Sequence, residues 1–144
     1  MNYDKIDGYL VDIFNNVVII EEASLKNSKF NDVSLKEMHT IDVIGTHPDT
    51  TPSAVAKELM LTLGTVTTSL NKLEKKGYII RTRSSVDRRV VHLSLSKKGR
   101  LVYRLHRGFH KSMVMRITEG FNDEELKVMS KGLENLHAFL EELK

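Results

Sequence analysis

The stretch TVTTSLNKLEKKGYIIRTRSSVDRRVVHLSLSKKG, residues 65–99, changes its periodicity half-way, and that change decides the fold. Its first half spaces Val66, Leu70 and Leu73 along one side of a helix, while Thr65, Thr68, Ser69, Lys72 and Lys76 fall on the other. Gly77 closes the run, since glycine takes the left-handed conformation on which helices end. Two short β-rich stretches follow, residues 78–83 and 90–96, joined by SSVDRR; in the second, Val91, Leu93 and Leu95 alternate with Val90, His92 and Ser94. The spacing predicts a helix followed by a hairpin. The hairpin is strongly basic, with six Lys and Arg against the single acid Asp87 between residues 81 and 99.

Upstream, residues 3–25 carry Ile6, Tyr9, Leu10, Ile13, Phe14, Val17 and Ile20 at helical spacing, predicting a first helix buried along one side. SLKE at 34–37 has capping-box form and opens a second helix with Met38, Ile41 and Ile44 on one face, ended by Gly45 and Pro48. TPSAVAKEL at 51–59 opens a third, with Thr51 as cap and Pro52 at the first helical position, where its missing N–H costs nothing. A break at residues 61–64 precedes the fourth. Downstream, Ser96 caps a fifth helix running to about Ile117, and Asn122 caps a sixth with acids in its first turn. There Leu126, Met129, Leu133, Leu136, Leu140 and Leu143 recur at the spacing of a coiled-coil seam. Such a stripe, with little chain left to cover it, favours pairing with a second copy. The fold class expected is mainly α, six helices with a small β-hairpin wing. The order helix, break, helix, basic hairpin is that of a winged helix-turn-helix.

A chain of 144 residues is the size of one domain, here 1–144. The acids in MNYDKIDGYLVDIFNN, and an aliphatic run no longer than VVII at 17–20, do not make a signal peptide or a membrane span, so the expected location is cytoplasmic. With no cysteine, disulfides, thiol nucleophiles and thiolate metal sites are excluded. The net charge of +3 conceals an asymmetry: residues 72–111 hold thirteen Lys and Arg and two acids, the remainder nine and seventeen. A basic block inside a folded domain is the footprint of a polyanion site, and double-stranded DNA is its first candidate. No phosphate loop, G-x-S-x-G or H-E-x-x-H motif is present, and the S-x-x-K at Ser94 to Lys97 ends a strand rather than opening a helix, so no enzyme is expected.

Short hydroxyls and lysine suit base edges and phosphates better than the Glu/Lys mixture of a merely solvated helix. Thr65, Thr67, Thr68 and Ser69 are the expected base readers, and Lys72, Arg81, Arg83, Ser84 and Arg88 the backbone holders. Asp87 cannot attract DNA by charge; its expected task is to hold Arg89 extended as a minor-groove probe. Lys97 and Lys98 occupy a helix's first turn, where the dipole disfavours cations, which a nearby phosphate would offset.

TVTTSLNKLEKKGYIIR followed by DRRVVHLSLSKKG resembles the MarR family of dimeric winged-helix regulators, whose pattern is Leu-Glu-x-x-Gly, Asp-x-Arg and Leu-x-Leu-Thr-x-x-Gly. Ser96 stands for the usual threonine, and Gly64 replaces a commoner polar residue. The resemblance implies a homodimer formed through the first, fifth and sixth helices, with 1–33 and 97–144 as dimerisation helices and 34–96 as the DNA-binding lobe. It implies two recognition helices set on a pseudo-palindromic operator. SLKEMHTIDVIG, LMLTLGTVTTSLNKLEKKGYI and RLHRGFHK are similar to the branch of the family that represses fatty-acid-synthesis genes in lactic-acid-type Gram-positive bacteria. Its implied corepressor is a long-chain acyl group on acyl carrier protein, with no resident cofactor or metal.

On that reading Phe14, Val17, Met38, Ile41, Phe109 and Met113 line an acyl tunnel, with His39, His106 and His110 as hydrogen-bonded pocket histidines. Arg100, Arg104, Arg107 and Lys111 form one stripe of the fifth helix, opposite Leu101, Val102, Leu105, Phe109 and Met113, and are expected to hold phosphates or the acidic carrier. An alternative comes from zinc-sensing members of the family, which resemble this chain in pairing a first-helix glutamate (Glu21 or Glu22) with His39, His106 and His110.

Overall fold

A computed structural model of the chain describes residues 2–144. The elements run α1 (Tyr3–Lys26), α2 (Leu35–Thr46), α3 (Pro52–Leu59), α4 (Leu63–Lys75), β1 (Ile79–Arg83), β2 (Val91–Leu95), α5 (Lys97–Ile117) and α6 (Asp123–Glu142). The chain divides into two compact units, Met1–His106 and Arg107–Lys144, and α5 runs from one into the other. Among the described residues no helix is long and apolar enough to cross a membrane.

Side-chain caps set most helix starts. Ser34 Oγ accepts from the Glu37 N–H at 3.1 Å while the Ser34 N–H donates to the Glu37 carboxylate at 3.1 Å, the reciprocal box the sequence predicts. Thr51 caps α3 ahead of Pro52, and Asn122 with Glu125 makes a second box on α6. Helix α4 starts earlier than its hydroxyl pattern suggests. Thr62 Oγ accepts from the Thr65 N–H at 3.2 Å, which places Leu63 and Gly64 inside the first turn. The helix-turn-helix break is therefore short, and it passes through Met60 at φ 54°, with the Leu61 N–H reaching back to the Ala56 carbonyl at 2.9 Å.

Within the first unit, Ile41 and Ile44 of α2, Val55 of α3, and Val66, Leu70 and Leu73 of α4 form the core with Leu93 and Leu95 of β2 and Val102 of α5. The hairpin is antiparallel, Ile79 opposite Leu95 and Arg83 opposite Val91. It is tied to the α2–α3 loop as well, where the Leu93 N–H donates to the Thr50 carbonyl at 2.8 Å and His92 Nδ1 lies 2.9 Å from the Asp49 carbonyl.

Tyr78 joins the parts. It is fully buried, meets Phe30 edge-on at 6.3 Å between ring centroids, and carries the Lys98 ammonium 4.3 Å from its own. Its hydroxyl donates to Asp32 in the α1–α2 loop, and its carbonyl accepts from the Ser96 N–H at 3.0 Å. Burial, then the Asp32 bond, pushes the phenol well above its usual range; the same bond holds the Asp32 carboxyl below the ordinary 3.8. Gly99 packs on this knot so closely that a Cβ would run into the Tyr78 carbonyl oxygen.

The expectation that α1 buries its apolar side is corrected. Of its residues only Glu21 and Leu25 are buried, both near the C-terminal end, while Ile6, Tyr9, Ile13, Phe14 and Ile20 stand exposed because nothing else in this unit covers them. The apolar side of α5 is likewise thin, with Val102 buried but Leu101 and Leu105 exposed. In the second unit, α6 buries none of its residues, and Leu133, Phe139, Leu140 and Leu143 remain exposed.

Tyr78→Phe should cost about 1 kcal/mol at neutral pH, low for a bond to a charged acceptor because Asp32 faces solvent. Asp32 is the depressed partner, so this contribution is present above pH 3.8 and is lost as pH falls through the lower folded value. Urea melts of both proteins across the acid range check it; a difference that persists undiminished in acid would contradict the assignment.

Candidate nucleic-acid interface

Along α4, Val66, Leu70 and Leu73 are buried, so the side facing away from the core is centred on Gly64, Thr68, Asn71, Lys72 and Lys75, all exposed. Thr65 and Thr67 sit on the two flanks of that side, and Ser69 is half-buried at its edge. Asn71 and Lys75 are the members that hydroxyl composition alone overlooked; their spacing from Gly64 and Thr68 was the available signal.

The hydroxyls are partly committed. Thr67 Oγ donates to the Leu63 carbonyl at 2.8 Å and Thr68 Oγ to that of Gly64 at 3.1 Å, while Thr62 and Thr65 share a bond of 2.8 Å. A hydroxyl has one proton, so Thr67 and Thr68 present methyl groups and acceptor lone pairs outward. They suit thymine methyls and the exocyclic amines of adenine or cytosine.

The cations divide into two sets. Lys72, Lys75, Arg88, Arg89 and Lys97 are exposed. Lys76 instead reaches the Glu37 carboxylate at 3.0 Å, Lys98 donates to the Lys76 carbonyl at 3.2 Å, and Arg100 donates to the Leu95 carbonyl at 3.1 Å. Lys98 thus has partners inside the fold that offset its unfavourable place in the first turn. Arg83 Nη1 donates to the Arg88 carbonyl at 3.0 Å, bracing the wing, and Arg81 Nη2 donates to Asn71 at 2.8 Å. Ser84 Oγ accepts from the Val86 and Asp87 N–H groups at 3.2 and 3.3 Å, shaping the tip.

At that tip Asp87 Oδ1 accepts from the Arg89 N–H at 3.0 Å and lies 3.4 Å from Arg89 Nε, on a side chain that is 93% exposed. The structure brings the pair together as an oriented, solvent-facing guanidinium.

Of the residues placed in an effector pocket, Met38 and Ile41 are buried core, Val17 is half-buried and Phe14 exposed. His106 is buried, its Nδ1 3.5 Å from Glu21 and its Nε2 3.9 Å from Asp42; His39 Nε2 lies 3.8 Å from the other Glu21 oxygen. Glu21, not the exposed Glu22, is therefore the glutamate of this cluster, and Asp42 is a member the sequence reading missed, one turn beyond His39. A carboxylate this close to two imidazoles can exchange a proton with either. In the second unit Phe109, His110 and Met113 are half-buried, with the Phe109 and His110 rings 5.8 Å apart, and Arg107 and Lys111 are exposed; Arg104, in the first, is exposed also.

The sequence model of the MarR family matches residues 33–91, which span the helix-turn-helix and most of the wing. FabT of Streptococcus pneumoniae, solved in complex with DNA, is 65% identical with a TM-score of 0.89, the match covering 99% of both chains. The chain belongs to the MarR family. The regulator PchR of Bacillus subtilis is 30% identical over 111 residues, 75% of this chain and 66% of that protein's length. Staphylococcus aureus MepR, solved with DNA, has a TM-score of 0.71 at 21% identity, covering 92% of this chain and 94% of the other, a likeness of fold alone. The fold is the winged helix of MarR regulators, and the chain is a DNA-binding transcriptional regulator.

The expectation from the sequence that the exposed side of α4 and the Asp87–Arg89 tip face DNA is tested at Arg89. Arg89→Ala should cost about 1–3 kcal/mol of specific operator binding. Adding Asp87→Ala to that variant should cost almost nothing more, since the carboxylate acts through the arginine. Fluorescence anisotropy over the double-mutant cycle measures this; unchanged affinity in Arg89→Ala would contradict it.

Proposed function

We propose that this regulator is a homodimeric repressor of fatty-acid-synthesis genes whose operator binding is strengthened by a long-chain acyl group carried on acyl carrier protein. The observation that carries the reading is the 65% identity to FabT across 99% of both chains, which takes in the recognition helix, the wing and the α5 string RLHRGFHK. A regulator that shares so much of its length with another shares most of its contact surface.

Dimerisation is supported by the exposed apolar sides of α1 and α6, since a soluble chain does not leave such long apolar stripes to water. A two-fold partner would cover them and set two recognition helices roughly 34 Å apart, one turn of duplex. Exposed Arg104, Arg107 and Lys111 supply positive charge for an acidic carrier, and half-buried Phe109 and Met113 supply adaptable apolar surface for a chain. The protein acts in the cytoplasm, where operator and carrier meet.

A second reading is favoured by one observation: Glu21 lies 3.8 Å from His39 Nε2 and 3.5 Å from His106 Nδ1, a carboxylate and histidines of the kinds zinc takes. These residues would hold the ion, and the metal would supply a link between α1, α2 and α5 that biases the lobe's conformation.

Carrier protein loaded with a C18 chain should tighten operator binding at least tenfold relative to unloaded carrier in a gel-shift titration. No difference between the two would sink the corepressor reading. Stoichiometric sub-micromolar zinc binding by calorimetry, with altered operator affinity, would put the metal reading in its place. Sedimentation should give a dimer at micromolar concentration; a lone subunit would remove the two-fold operator.

A further inference from the structure

The hydrogen bond from Arg81 to Asn71 links the wing to the outward side of the recognition helix and carries an inference about base selection. Arg81 lies on β1 opposite Leu93, and its side chain is half-buried against α4. Its Nη2 donates to Asn71 Oδ1 at 2.8 Å, and its Nε stands 3.9 Å from the Glu74 carboxylate, one turn further along the same helix. Arginine has donors and no acceptor, so the Asn71 atom facing it has to be the carbonyl oxygen. The amide NH2 then points away from the wing, on the side of α4 that carries Gly64, Thr68 and Lys75. Among the described residues that NH2 has no partner.

We infer that Asn71 is a specificity-determining residue in the major groove, presenting its N–H donors ahead of its oxygen, and that Arg81 is the positioning residue that turns the amide this way. An unrestrained asparagine reads adenine bidentately, accepting from N6 and donating to N7. With its oxygen turned to Arg81 and one of that oxygen's two lone pairs taken, Asn71 leads with its two N–H groups, which suit guanine O6 and N7 or thymine O4 better than an adenine or cytosine amine. Thr68, one turn before it, has the reverse character, because its proton is committed to the Gly64 carbonyl and it presents a methyl and lone pairs. The two neighbours therefore divide the code, one taking acceptor edges and the other amine or methyl edges. The Arg81 charge has its counterpart in Glu74, so its contribution is to base choice more than to phosphate attraction.

The inference rests on α4 being the recognition helix. The test is selection of binding sites from a randomised duplex pool by the full chain and by Asn71→Asp, Arg81→Ala and Arg81→Lys, with thermal melts alongside. The wild type should select guanine or thymine at one position per half-site. Asn71→Asp keeps the Arg81 bond but loses the donors; it should lose about 5- to 150-fold in affinity and move that position to cytosine or adenine. Arg81→Ala frees the amide and should admit adenine there, with the salt slope of binding unchanged; Arg81→Lys, which can still donate to Asn71, should keep the wild-type choice. Identical base profiles in all four proteins, or a loss spread evenly over every sequence, would overturn the inference and leave the recognition-helix reading standing. A wild type that selects no sequence would overturn that reading itself.

Discussion

Tyr78 sits where the α1–α2 loop, the end of α4, the first wing strand and the start of α5 come together, and each contributes a bond that the others make possible. Its ring is out of water, its hydroxyl is held by Asp32, and its carbonyl is closed by the Ser96 N–H. Ser96 Oγ in turn donates to the Gly77 carbonyl and accepts from the Gly99 N–H. This closes the C-terminus of α4 and the N-terminus of α5 with one side chain. Gly77 at φ +85° makes the exit from α4 sharp enough for Tyr78 to turn inward, and Gly99 lets α5 approach its carbonyl. A recognition helix and a wing that hang from one such joint cannot adjust independently.

The division among the cations follows from this joint. Lys76 and Lys98 close around it, Arg83 braces the hairpin, Arg81 ties it to α4, and the charges left over at Lys72, Lys75, Arg88, Arg89 and Lys97 face outward. A basic segment that looks uniform in composition is thus partly internal scaffolding. The outward set is smaller than the count of charges suggests, which suits reading a duplex at a few points better than coating it.

Helix capping was legible in the sequence because caps are local: Ser34 with Glu37, Thr51 with Pro52, and Asn122 with Glu125 need only the residues beside them. The hairpin's two strands and the Asp87–Arg89 clamp were legible for the same reason. What escaped depends on contacts between distant residues. Arg81 looks like any phosphate-binding arginine until the hairpin folds it against Asn71, ten residues earlier, and Asp42 joins the His39 and His106 cluster only through helix packing. The apolar side of α1 had the right period, yet periodicity says that a face is to be covered and not by which chain. The early start of α4 was hidden because Thr62 and Thr65 are both able caps, and only the bond between them decides.

The claim that wing and recognition helix move as one body is tested most directly by native-state hydrogen exchange. The Leu93 and Ser96 amides, bonded to Thr50 and Tyr78, should exchange with the same free energy as the central α4 amides of Leu70 and Leu73 and share their denaturant dependence. Wing amides that exchange through a smaller, denaturant-independent opening while α4 stays protected would contradict it, and would leave the wing as a separate, flexible arm.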